Sequence, residues 1–222
     1  MSDGHSALVA KPPRRSARLT RALFAGGPSG NERLTATTGA ILIVLLAALG
    51  ITIVRIRPLI DEHLFISLLL LPPVAVKLAS TGYRFVRYYT RDPVYLKRGA
   101  PPLSLRLLGP AVVATTLAVF ATGIALLVEG GSTSGTLREL HKISFILWIA
   151  AMAIHVLGHL PDMSRVFLTR DGERYELNRL AAGSLGRALA LSGAIVAGLV
   201  LAILLIPDFA SWSHFEAFHH HR

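Results

Sequence analysis

Residues 140–160 read LHKISFILWIAAMAIHVLGHL, an apolar run that carries three histidines, His141, His155 and His159. As a helix with about 1.5 Å of rise per residue it matches a hydrocarbon layer about 30 Å thick. Ionisable side chains at that depth are costly, and they face a protein interior, a water-filled cavity or a ligand rather than lipid. The run therefore predicts both a transmembrane helix and an inward function for its histidines.

The remainder of the chain repeats the first half of that statement. Of its 222 residues 52% are hydrophobic and only 16% charged, outside the range of an ordinary soluble domain. The expectation is an all-α integral membrane protein, a five-helix transmembrane bundle over residues 37–207. Its spans are expected at about 38–54, 63–83, 107–128, 141–160 and 185–206. Residues 1–36, rich in Pro, Gly, Ser and Arg, are expected as a disordered basic tail, and 208–222 as a short His-rich tail. Pro72 and Pro73 interrupt the second span and should kink it, with the freed carbonyls turned toward protein or water. Gly109, Gly123, Gly193 and Gly198, with Ala194, are read as small residues that let helices approach closely.

The formal net charge of +10 is explained by topology. Of the lysines and arginines, 18 fall in segments on one side of the five spans: the N-terminal tail, the connection from Lys77 to Arg106, and the segment from Arg165 to Arg187. The other side holds Arg55, Arg57, Arg138, Lys142 and Arg222. The positive-inside rule then places the N-terminus in the cytoplasm and the C-terminus outside a cell (inner) membrane. No base-reading module accompanies the basic segments, which sets nucleic acid aside as a partner. The run YRFVRYYTR at 83–91 reads as interfacial anchoring against membrane lipid.

Cysteine is absent, which excludes disulfides, cysteine-held iron–sulfur clusters and covalent haem attachment through C-x-x-C-H. The chain also has no dinucleotide fingerprint, P-loop, nucleophile elbow or H-E-x-x-H. A self-contained enzyme is not expected; if the chain moves electrons, it passes them between partners.

At about 100° per residue, His141, His155 and His159 fall within about 40° of one direction, together with Phe145, Trp148 and Met152. The second span begins with His63 and enters from the same side as the fourth, so His63 and His141 share a depth near the outer ends of two helices. Two imidazoles on facing helices are what axial ligation of haem iron requires. His155, about 21 Å further along the axis, marks a candidate inner site. His159 is a second inner candidate, but two residues one turn apart cannot serve opposite faces of one iron. Arg55, Arg57, Arg138 and Lys142 are candidates to neutralise propionates, against the default of a solvated rim.

On His63 and the pair His141 and His155, fourteen residues apart, residues 60–160 resemble the bacterial membrane b-type cytochromes. These include the cytochrome b561 type and the cytochrome b subunits of respiratory hydrogenases and formate dehydrogenases. The resemblance implies a four-helix haem-binding core, one haem b or two, transmembrane electron transfer, a quinone and a redox partner protein. One departure stands against it: fourteen residues after His63 the chain has Lys77 where a second histidine of that helix is expected. Lys77 reads as a side chain that snorkels to the headgroups, with ligation as the lesser alternative. The competing class for the whole chain is a non-redox permease or accessory subunit whose histidines line a metal-ion or polar path.

Overall fold

A computed structural model describes residues 27–96, 103–130, 135–168 and 183–219; within the helices, the side chains of 103–107, 159–168 and 213–219 lie outside the description. The described chain is helical: α1 Gly27–Val54, α2 Ile60–Tyr89, the short α3 Pro93–Leu96, α4 Leu103–Glu129, α5 Gly135–Leu168, α6 Ser184–Leu204 and α7 Ile206–His219. Five of these, α1, α2, α4, α5 and α6, contain stretches long and apolar enough to cross a membrane. They turn Val44, Ile51, Ile146, Leu147, Ile154 and Val200 outward. That arrangement is unstable in water but ordinary in hydrocarbon, where backbone groups are satisfied within each helix.

The bundle has two parts. In one, α2 is central and packs along both α1 and α6; in the other, α4 and α5 pack along each other. Among the described residues, α2 and α5 approach each other at no more than isolated points.

Hydrocarbon offers no hydrophobic force to draw helices together, so close van der Waals fit decides which faces meet. The α2–α6 contact shows how. Pro73 has no N–H to give to the carbonyl of Leu69, four residues earlier, and that carbonyl is left without its helical donor. Gly198 of α6 lies directly over it, so close that a Cβ there would collide with Leu69 O. Ala194, Gly198 and Ala202, spaced four apart, are all buried on this face. The freed carbonyl faces protein, as expected from the proline pair. Gly193 and Gly109, also read as close-packing glycines, have open space where a Cβ would stand.

Both stretches read as tails differ from expectation. The helix α1 starts at Gly27, inside the stretch read as a disordered tail. Its first turns are held because Asn31 Nδ2 donates to Ser80 O of α2 at 2.9 Å and the hydroxyls of Thr35 and Ser80 meet at 3.0 Å. Residues 1–26 lie outside the described residues. The tail expected from 208 is largely helix α7, which folds back over one end of the bundle and packs on α2, α4 and α6. Its Phe209 joins Leu68, Leu127 and Ala202 in a buried cluster flanked by Leu64 and Phe65. Burying Phe209 and Trp212 is the physical reason the segment returns to the bundle. The turn that ends α4 makes room for α7: Gly130 has φ of +77°, and a Cβ on it would stand 3.3 Å from Ser211 Oγ.

At the opposite end of α2, the YRFVRYYTR segment forms a cluster. Arg87 pairs with Asp92 and lies over the rings of Tyr83 and Tyr95 at 5.9 and 6.0 Å.

Replacing Gly198 by Ala should lower stability in detergent by about 1–3 kcal/mol, because α6 must move off α2. Gly193→Ala at its open position should be neutral or raise stability by up to about 1 kcal/mol through helix propensity. Thermal unfolding of the two variants side by side checks this; equal melting temperatures would refute the packing role given to Gly198.

Candidate functional site

The two histidines expected at one depth are found near the same end of the bundle, the end covered by α7. His63 lies in the first turn of α2 and His141 in the second turn of α5. Both are half-buried.

Each ring is held by a threonine of a neighbouring helix. Thr52 of α1, 4% exposed, places its Oγ1 3.0 Å from His63 Nδ1. Thr122 of α4 places its Oγ1 2.9 Å from His141 Nδ1. A hydroxyl has one proton to give. Thr52 Oγ1 also lies 2.6 Å from the carbonyl of Leu49, to which it can donate while accepting from the ring. Around Thr122 the other neighbours are acceptors: the carbonyls of Ala118 at 2.8 Å and Val119 at 3.1 Å, and Ser144 Oγ at 3.1 Å. Ser144 has given its own proton to His141 O at 2.8 Å. When each threonine gives its proton to its own helix carbonyl, the imidazole is the donor in both pairs, which corresponds to the Nδ1–H tautomer with the lone pair on Nε2; the reverse, each hydroxyl donating to Nδ1, corresponds to the Nε2–H tautomer. A ligating histidine is commonly prepared in the first way, with one nitrogen donating to a fixed acceptor and the other turned to the metal.

The α4–α5 pair continues as a polar seam. Trp148 Nε1 donates to Thr116 Oγ1 at 3.0 Å, and the Phe145 and Trp148 rings stack at 6.2 Å. Gly123 lies against His141, where a Cβ would meet Cε1 at 3.2 Å. His141, Phe145, Trp148, Met152 and His155 are each less exposed than the Ile and Leu residues between them, so the stripe faces inward. His155 has its Nδ1 shielded from solvent. The side chain of His159 lies outside the described residues.

The candidate inner site is not matched from α2. Lys77 does not extend to the headgroups as expected but turns to α1, where its Nζ donates to Thr35 O at 2.7 Å, beside Gly39. Thr35, Ser80 and Asn31 complete that network. Lys77 has its nearest acceptor on α1, and a long cationic side chain takes the first carbonyl it reaches inside hydrocarbon.

The four cations expected near propionates also separate. Arg55 and Arg57 are exposed in the turn between α1 and α2, and Lys142 points outward into a 2.7 Å pair with Glu139. Arg138 alone turns inward, with its guanidinium 5.3 Å above the Trp212 ring of α7. The threonine partners and Trp212 were not read from the sequence. The available signal was weak: a single hydroxyl in the apolar runs of α1 and α4 at the depth of each histidine.

Comparison with protein families, with curated proteins and with solved structures gives no match.

Nitrogen-15 NMR of ring-labelled protein in detergent should show His63 and His141 as Nδ1–H tautomers when neutral. Thr122→Val should remove the acceptor from His141 and shift its ring toward the other tautomer, which leaves no stranded Nδ1 donor. Nε2–H tautomers in the unaltered protein would overturn the assignment.

Proposed function

We propose that this chain is a b-type haem-binding membrane protein that carries electrons, with His63 and His141 as the axial pair. The observation that carries the reading is the matched pair of imidazoles, on two helices at one end of the bundle, each with Nδ1 within hydrogen-bond distance of a threonine hydroxyl that, in this reading, accepts the Nδ1 proton and frees Nε2 for the iron. The residues present fit the group. A haem would be held by two histidines, and His63 and His141 stand on α2 and α5, which pack along other helices rather than along each other.

In this reading Thr52 and Thr122 fix ring orientation and raise the basicity of the ligating nitrogens, and Gly123 keeps space for the His141 ring. A haem with two imidazole ligands supplies a one-electron couple with no open coordination position, suited to electron transfer rather than oxygen chemistry. The chain has no flavin or nucleotide motif, so its electrons would come from and go to others, a quinone or a redox partner protein within a complex. One haem is favoured over two, because Lys77 is engaged with α1 and α2 offers no second histidine opposite His155. By the distribution of lysine and arginine, the His63 end faces outside a cell (inner) membrane and the N-terminus lies in the cytoplasm.

The permease reading has less support. A bare metal ion wants three or more protein donors, and no such group of His, Asp or Glu is found among the described residues. Two imidazoles suffice for haem.

The test is the visible spectrum of purified protein from haem-replete cells, oxidised and dithionite-reduced. Sharp reduced bands should appear, be lost in His63→Ala and in His141→Ala, and persist in Lys77→Met. Thr52→Val should keep the bands but weaken haem affinity about tenfold or more. A folded, colourless protein would end the proposal.

A further inference from the structure

The helix α7 adds a group that none of the above uses. Trp212 is 9% exposed, and its indole Nε1, fully shielded, finds no acceptor among the described residues. A buried N–H without a partner costs about 1–3 kcal/mol, and tryptophan when buried ordinarily finds one. The cheaper arrangement for the chain would have been a phenylalanine.

Position says what kind of acceptor would fit. Arg138 lies over the Trp212 ring, one turn before His141 on the same inward face of α5. On the other flank, Phe209 of the same helix α7 belongs to the buried cluster with Leu68 of α2, and Leu64 and Phe65, the two residues that follow His63, pack against that cluster. The segment from Phe209 to Trp212 therefore spans from the helix of one candidate ligand to the helix of the other, over their shared end of the bundle. The guanidinium beside the indole makes an anionic acceptor the favourable one, since hydrogen bonds to an ionised acceptor are about twice as strong as neutral ones.

We infer that α7 is a lid over the His63–His141 site, and that the Trp212 indole N–H, beside the Arg138 charge, donates to a carboxylate of the bound group, a propionate of the haem. This rests on the haem reading above and adds to it a recognition residue from a segment that the sequence presents as a tail.

The experiment titrates purified apoprotein in detergent with haem b and with its dimethyl ester, which has the same ring and iron but no carboxylates. Unaltered protein should bind both, haem b more tightly. Trp212→Phe keeps the apolar body and removes only the donor; it should weaken haem b about ten- to hundredfold and leave the affinity for the ester unchanged. An equal loss for both ligands, or no loss for either, would overturn the inference and make Trp212 a packing residue. If the unaltered protein binds neither ligand, the haem reading fails and this inference with it. If His63→Ala and His141→Ala abolish binding of both ligands while Trp212→Phe changes neither, the haem reading stands and the lid role falls.

Discussion

Inside hydrocarbon a polar group has to be satisfied by the chain itself, because no water is available to do it. This constraint explains where the bundle is close-packed and where it is polar. The carbonyl that Pro73 deprives of a donor is the one covered by Gly198, and the row of Ala194, Gly198 and Ala202 brings α6 against α2 at that place. The same requirement draws Lys77 to the Thr35 carbonyl, and it ties Asn31 and Thr35 of α1 to Ser80 of α2. The α1–α2 contact is therefore held by polar groups at both ends, through Thr52 and His63 at one and the Lys77 network at the other.

The constraint also prepares chemistry. A threonine in a helix gives its proton to a carbonyl one turn earlier and so presents the rest of the structure with an acceptor. Placed against an imidazole, that acceptor selects which ring nitrogen carries the proton. Two such pairs, Thr52 with His63 and Thr122 with His141, stand at the same end of the bundle. In the proposed function a fixed tautomer would suit metal ligation, where the ligand set should change little between oxidation states. A proton or ion pathway would instead benefit from imidazoles free to exchange protons.

Much of the fold was legible in the residues. Apolar runs of spanning length can form little else, so the five spans and the inward stripe on α5 follow from composition and a period of 3.6 residues. His63 and His141 could be placed at one depth because two helices entering from the same side must begin at the same surface. The ends of helices were less legible. Hydropathy marks only the part of a helix that needs lipid, and the turns from Gly27 to Asn31 and the whole of α7 are stabilised by contacts with distant residues. Glycines divided for a related reason. Gly193 and Gly198 look alike in sequence, but only Gly198 lies over a carbonyl that a proline has freed on another helix.

By itself, then, the sequence determined a helical membrane bundle, a bias of basic residues to one side, and two histidines at a common depth, because length, hydropathy and helical period are local properties. Tertiary structure decided which groups meet those histidines. It gave Thr52 to His63 and Thr122 to His141, turned Lys77 to α1 and away from any site, and brought Trp212 from the last helix to Arg138. Hydrogen-bond partners across helices depend on rotation and lateral packing. These are set by the fit of whole faces, and no single helix carries that information.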